Sequence, residues 1–343
     1  MTGQRDRGAA LLLVILLVAL LAVLVTEFQR ETRVEIRAAE NLADDLQSHA
    51  LLRSGSDLTE QILAIYEKNR VADLASARRQ VQGGELLWQF LFLGETVAIP
   101  VPSAVLTVET GLRGRLEDLY GRFPLGALVG EQPEPRRAVF RDYLGAVKEF
   151  LGSTDDNALS STDTDSLADA VIARVEAAGS PGSLRRLADL AQAEGMTPAL
   201  LRALSPFLDT RPAWKFDVNG RCIPLILTMH QGISVEEARQ KADDLREDPV
   251  SDDAAIPSQI GTVRPEFANS LTTKSARFQA TLEASVRGGT RRARAVFERK
   301  VDAAGVPQGK FGLVEWVEGW VEGLEEAPAA VAGADASQEG GAK

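Results

Sequence analysis

The sequence predicts an α+β chain: a long N-terminal helix, a small antiparallel sheet split in sequence, and a large α-helical insertion between the two halves of that sheet. Three observations predict it. Ala9 to Val25 is an unbroken apolar run, and spaced apolar positions continue beyond it. Runs with β-branched or alternating residues occur twice, near 96–110 and 275–300. Between them the composition shifts to helix formers separated by polar and glycine-rich breaks.

The chain opens with a basic leader, Met1 to Gly8, carrying Arg5, Asp6 and Arg7, and then the apolar run from Ala9. At ~1.5 Å per residue that run reaches roughly 26 Å, near the lower limit of ~17 residues needed to cross a bilayer core. Basic flanks stay in the cytoplasm, so Arg5 and Arg7 place the N-terminus inside and the bulk of the chain outside. A secretory signal peptide begins the same way, but its small-residue cleavage site after the apolar stretch is missing. Instead Phe28, Val34, Ile36, Ala39 and Leu42 continue the helix out of the membrane.

Helical composition persists to Arg79, with a predicted break at Ser54-Gly55-Ser56, a second helix capped by Ser56 or Asp57, and an end at Gly83-Gly84. Thr96 to Ile99 and Ala104 to Thr110, separated by Pro100 and Pro102, have the composition of a strand pair. Val139 to Leu151 is a predicted helix, and Gly152 to Ser166 a polar loop. Asp155, Asp156, Asn157, Asp163 and Asp165 in that loop offer oxygen ligands. The loop lacks EF-hand spacing, so a solvated loop with Asp165 or Ser166 as helix cap is preferred over a calcium site. Ser166–Ala178, Leu184–Ala193 and Pro198–Leu208 follow as short helices, and Glu247 to Pro257 as an acidic linker.

Ser275 to Val286 and Thr290 to Lys300 are predicted strands joined by Arg287-Gly-Gly289, with Phe278, Ala280, Leu282 and Ala284 alternating. Arg287, Arg291, Arg292 and Arg294 form the best anion-binding candidate; a solvated strand face or a subunit contact is the preferred role. Trp316 and Trp320 fit either a short helix or, for the first, the end of a strand, as core or interface anchors. From Glu325 the composition indicates a disordered acidic tail.

Composition narrows the function. The 343 residues are 45% hydrophobic, ample for a core, and carry a formal charge of −11. Removing the leader makes that charge one unit more negative, which argues against nucleic acid as the main partner. Cys222 is the only cysteine, so no intrachain disulfide forms. With His49 and His230 it gives little material for a transition-metal site or a His-based triad, so catalysis would rest on carboxylates.

The Gly8-Ala9 junction, placed before the apolar run, resembles type IV pilin-like proteins, whose leader is cut after Gly by the prepilin peptidase. Most of them have Glu as fifth mature residue; here that residue is Leu13. The acid-free stem is similar to one member, general secretion pathway protein K, a minor pseudopilin of type II secretion. A stem carboxylate needs a positive partner, and a subunit that starts a fibre has no predecessor to neutralise. The segment Glu117 to Arg122 matches that family's acidic-Gly-basic turn, although Pro124 and Gly126 replace its asparagines. Leu184 to Leu208, Asp217-Val-Asn219 and Gly232 to Ala238 resemble its helical insert, while Ile172 to Glu176 replaces its Asp-Trp-Ile-Asp motif. Ser275, Phe278, Arg291, Arg292, Trp316 and Glu318 resemble its closing strands.

The resemblance implies a pseudopilin fold divided as leader 1–8, transmembrane and stem helix 9–54, first α/β part 55–132, helical insertion 133–255, closing β part 256–324 and tail 325–343. It implies a non-enzymatic subunit at the tip of the secretion pseudopilus, in the inner membrane with its main domain periplasmic, and a methylated mature N-terminus. Its implied partners are other minor pseudopilins, the major pseudopilin, the inner-membrane assembly platform and the prepilin peptidase, with the insert facing secreted cargo. Arg291, Arg292 and Trp316 are candidate interface residues. No cofactor is evident, and calcium enters through the resemblance alone. Two rival classes stand beside this reading. One is a minor pilin of a type IV or DNA-uptake pilus, since Gly195-Met-Thr and Gly232-Ile-Ser are similar to helix-hairpin-helix turns. The acids Glu236, Glu237, Asp243, Asp244, Glu247, Asp248, Asp252 and Asp253 oppose phosphate there. The other is a signal-anchored periplasmic enzyme, which requires an acidic pair converging in a cleft.

Overall fold

The computed structural model describes residues 3–69, 97–99, 110–130, 133–152, 158–180, 183–184, 186–220, 222–230, 232–301 and 307–319, with side chains from residue 16 onward. The chain is α+β, and helix α1, Gly3–Lys68, dominates its N-terminal part. At ~1.5 Å per residue it is on the order of 100 Å long.

The predicted break at Ser54-Gly55-Ser56 is absent. Ser54 Oγ donates to the Ala50 carbonyl at 2.9 Å, and the Gly55 carbonyl accepts from Thr59 Oγ1 at 2.8 Å. Gly55 is a contact point, because a Cβ there would stand 3.2 Å from Leu112 and 3.3 Å from Leu282 on the sheet. Glycine costs about 1 kcal/mol inside a helix. Burial of Leu51, Leu52, Leu63 and Tyr66 on the same face of α1 offsets it.

The sheet beneath this helix contains β1 (Val97–Ile99), β2 (Thr110–Asp118), β7 (Arg277–Val286), β8 (Gly289–Val301) and β9 (Pro307–Glu318), in the order β1-β2-β7-β8-β9, all antiparallel. Phe278, Ala280, Leu282, Ala284 and Val286 alternate inward along β7 as predicted. Ala280, Ala284, Ala293 and Ala295 are fully buried, a surface of small side chains that lets α1 lie close. The β7–β8 turn sits one residue earlier than predicted. Arg287 and Gly288, at φ 47° and 82°, are its central residues, and Gly289 already pairs with Val286. Positive φ at both positions matches the strand twist of a tight hairpin.

The predicted strand at 104–110 lies, except for Thr110, outside the described residues; the described β2 begins at Thr110. The helical end at 70–84, Trp320 and the acidic tail also lie outside them.

Between β2 and β7 the chain builds a helical module. It contains α2 (Pro133–Leu151), α3 (Thr164–Ala177), α4 (Pro198–Leu204), α5 (Ile223–Met229), α6 (Val235–Glu247) and α7 (Ile256–Ile260). Short parallel pairs also occur, β3 (Phe123–Pro124) with β4 (Leu208–Asp209) and β5 (Phe216–Asp217) with β6 (Leu271–Thr272). Its core is aromatic: Phe123 lies 4.9 Å from both Phe140 and Tyr143, and Phe216 lies 5.3 Å from Phe267.

Several boundaries differ from the sequence expectation. Helix α2 starts six residues early, at Pro133, because proline is tolerated in a first helical turn. Helix α3 is capped by Asp163, whose carboxylate accepts from Asp165 N at 3.2 Å and Ser166 Oγ at 2.5 Å. The predicted helix Leu184–Ala193 is a 3-10 segment, Leu187–Gln192, and α4 stops at Leu204 so that Leu208 can pair in β4. The acidic stretch 247–257 is no free linker. Val250 and Ile256 are buried, and Val250 exchanges backbone hydrogen bonds with the Asn219 side chain at 2.9 and 3.2 Å.

Candidate functional site

Gly8, Ala9 and Leu13 fall within α1, where their side chains lie outside those described. Among the described residues no helix is long and apolar enough to cross a membrane. From Leu16 onward the helix exposes large apolar side chains, among them Leu16, Leu20, Val25, Phe28, Val34, Ile36, Leu42 and Leu46. Elsewhere among the described residues, exposed large apolar side chains occur only at Val301, Leu313 and Val314. The helical module therefore presents a polar surface, and the uncovered apolar surface is concentrated on the stem.

The stem is clamped to the sheet by charge. Arg291 on β8 pairs with Asp45 of α1 and, at 2.9 Å, with Glu318 of β9; Arg287 reaches Asp44 at 3.5 Å. His49 Nδ1 lies 2.7 Å from Glu318, which also accepts from Trp316 Nε1 at 3.3 Å. The Arg53 guanidinium covers the Trp316 ring at 4.3 Å. Burial pushes the Glu318 carboxyl up, but hydrogen bonds from His49, Arg291 and Trp316 together hold it below the usual range.

The remaining arginines of the predicted anion site are also committed: Arg292 pairs with Glu283 at 2.8 Å and Arg294 with Glu315 at 2.6 Å. Carboxylates thus neutralise the cluster: Arg287 and Arg291 fasten α1 to the sheet, and Arg292 and Arg294 bridge neighbouring strands. Trp316 lies within β9, which settles the strand alternative for that residue.

A second polar assembly joins the sheet to the helical module. Asp118 ends β2 and Asp217 ends β5, and the two carboxyls are near enough for the charge of Asp118 to act on Asp217. Asp118 Oδ1 accepts from Tyr120 N at 2.7 Å and from the fully buried Ser275 hydroxyl, so although the residue is half-buried this carboxyl faces inward. Asp217 Oδ1 accepts from Asn219 N at 2.8 Å. Burial raises both carboxyls above their ordinary range, and the negative neighbour Asp118 pushes Asp217 further. Tyr66 of α1 meets the same place, accepting from Ser275 N at 3.1 Å, and burial raises its phenol well above the ordinary value.

Beside the pair, Arg211 is 2% exposed. It reaches the carbonyls of Leu119, Tyr120, Arg122 and Lys215 and pairs with Asp209 at 3.0 Å. One guanidinium thereby ties the turn after β2 to the segment after β4.

The enzyme alternative required an acidic pair in a cleft. The pair exists but is enclosed, and the groove of about 550 Å³ lined by Pro135, Arg136, Trp214, Pro265, Glu266, Asn269 and Ser270 includes neither aspartate. Among the described residues no grouping of three or more His, Cys, Asp or Glu side chains is placed to hold a metal ion. Asp155, Asp156 and Asn157 lie outside the described residues. Cys222 is half-buried with its sulfur 3.6 Å from the Tyr143 hydroxyl, and burial pushes its thiol up, away from the reactive thiolate.

Sequence reasoning missed the Asp118–Asp217 pair. The available signal was a repeated phrase, Asp118-Leu-Tyr-Gly121 and Asp217-Val-Asn-Gly220.

The fold and these two junctions define an α+β protein in which a long helix is fastened along an antiparallel sheet that carries a large helical module. No family model matches the sequence, and no curated protein matches it. The chain is similar to one chain of the crystal structure of the GspK-GspI-GspJ complex from the enterotoxigenic Escherichia coli type 2 secretion system. The identity is 14% and the TM-score 0.44, over 78% of this chain and 100% of that one.

Proposed function

We propose that this chain is a minor pseudopilin of the protein K kind, placed at the tip of a type II secretion pseudopilus. There it primes fibre assembly with other minor pseudopilins and supports protein export across the outer membrane. The observation that carries the reading is the architecture. A helix continuous with an acid-free apolar segment packs its C-terminal part on a small antiparallel sheet, and that sheet is interrupted between β2 and β7 by a helical module.

Each part has a task on this reading. The leader is cut between Gly8 and Ala9 by the prepilin peptidase, and the new N-terminus is methylated. Ala9 to Val25 anchors the chain in the inner membrane and leaves the rest in the periplasm. The uncovered apolar positions of α1 then meet the helices of other minor pseudopilins, the major pseudopilin and the assembly platform. Leu13, having no charge, needs no partner above it. The polar helical module caps the fibre and faces secreted cargo.

Mass spectrometry of the mature N-terminus tests this, using membranes with and without a prepilin peptidase and comparing wild type with Gly8→Arg. A start at Ala9 that needs both the peptidase and Gly8 is the expected result. An intact leader, or cleavage after Val25, removes the assembly reading.

A further inference from the structure

Two arginines are buried among the described residues, and their surroundings differ. Arg211 meets the Asp209 carboxylate and four carbonyls. Arg299 on β8, 6% exposed, meets no carboxylate among the described residues. Its Nη2 donates to the Ser275 carbonyl at 3.0 Å, and its guanidinium stands 4.9 Å from the centre of the Phe311 ring. Its Nε is sealed from water without an acceptor. A guanidinium has five N–H donors, so most of the capacity of this one is unused. Burial works against its charge more strongly than its neighbours, Glu67 among them, support it. A buried cation without a counter-charge is costly, and the isolated fold gains nothing by keeping it.

A second, independent feature lies at the same corner of the sheet. Val301, two residues beyond Arg299 on β8, and Leu313 and Val314, two and three residues beyond Phe311 on β9, are exposed. Among the described residues they are the only large apolar side chains exposed off the stem. Strand β9 is the outer strand of the sheet, yet its edge is a poor template for an added strand. Val296 pairs with Glu315 and Phe297 with Leu313, which leaves Val314 as an extra residue, and a second register shift falls between Glu298 and Lys300. Such bulges turn an edge away from strand pairing and re-aim side chains. Val314, 57% exposed, is therefore offered for side-chain packing. Lys300 and Lys310 are exposed on the same two strands, and Glu298 is drawn to Arg277 at 3.9 Å, so charge at this corner favours an acid.

We propose, resting on the pseudopilin reading, that this corner is the docking surface for a neighbouring minor pseudopilin: a carboxylate side chain of the neighbour enters beside Phe311 to pair with Arg299, and apolar side chains flanking it cover Val301, Leu313 and Val314.

An arginine set against an aromatic ring and ringed by apolar contacts is the anatomy in which a few residues carry most of the binding. It also supplies choice. Apolar positions on the stem accept any apolar helix, whereas a neighbour without the acid would close over Arg299 and leave it unpaired.

The free chain and the complex make opposite demands on Arg299, and R299M separates them. In urea unfolding of the full chain in detergent, the folded-to-unfolded ratio of R299M is expected to equal or exceed that of wild type, to within about threefold. A larger loss makes Arg299 a structural part of the sheet and overturns the proposal. The full chain is then titrated with each purified minor pseudopilin of the same secretion system, one at a time. At least one is expected to bind wild type, and R299M and V314D are each expected to weaken that binding by about tenfold or more. Binding that either variant retains at wild-type strength overturns the docking surface and leaves the pseudopilin reading standing. Absence of any binder overturns the proposal, while the leader-cleavage result decides the pseudopilin reading separately. Self-association of wild type that V314D abolishes also overturns it, since a second copy would then be the occupant.

Discussion

The sheet is held on its stem side by contacts at a rim and on its module side by contacts inside a joint. The side chains of His49 and Arg291 are 45% and 37% exposed, whereas those of Arg211 and Asp209 are 2% and 7% exposed. Exposed ion pairs are worth about 0–1 kcal/mol each, so the clamp sets the register of α1 while its apolar face supplies the adhesion. Breaking a buried pair leaves an uncompensated charge out of water. One junction is therefore tolerant of change, and the other holds only if complete.

Substitutions across the two junctions sharpen that contrast. Arg211→Ala carries the largest expected effect, a loss of about 3–5 kcal/mol in urea unfolding, since it leaves buried Asp209 with only the longer contact to Arg277 at 3.5 Å and strands the carbonyls Arg211 serves. Leu63→Ala, at a fully buried position of α1, should cost about 2–5 kcal/mol in the same measurement. A value near zero would show that the stem adheres by charge after all.

Gly220→Ala should cost about 1–3 kcal/mol, because its Cβ must push the Gly121 backbone away. Arg291→Ala should cost less than about 1 kcal/mol and lose part of even that in high salt, read from thermal melts at two ionic strengths. Glu318 adds a pH signature to the clamp. Its folded-state value is lowered, so its stabilisation is present above the ordinary carboxylate range and lost as pH falls through the folded-state value. Acid titration of E318Q against wild type should show a shallower loss of stability in the variant.

The parts legible in the sequence were those encoded locally. Alternation from Phe278 to Val286 placed β7, and Arg287-Gly-Gly placed the hairpin to within one residue. The order of stem, first strands, helical stretch and closing strands could be read along the chain. What was missed depends on partners far away in sequence. Ser54-Gly55-Ser56 has a breaker's composition, yet its role is set by Leu112 and Leu282. Strand β2, with Gly111, Gly114 and four charged residues, has little intrinsic preference for a strand and is held by β7. The arginines of the β7–β8 turn and of β8 look like an anion site until Asp44, Asp45, Glu315 and Glu318 are brought over them. The aspartate pair has no local signature beyond two short phrases.

The pairing of Asp118 with Phe278 across β2 and β7 joins two distant stretches of chain. Bringing those strands together directly means closing a loop that holds every residue from 119 to 276, and loop closure costs entropy before any ladder bond repays it. A helical module that folds first would shorten that search by presenting its two ends side by side. If the module forms first, a lesion in the aromatic core around Phe123 and Phe216 slows formation of the sheet as well as weakening the module, which stopped-flow refolding would read.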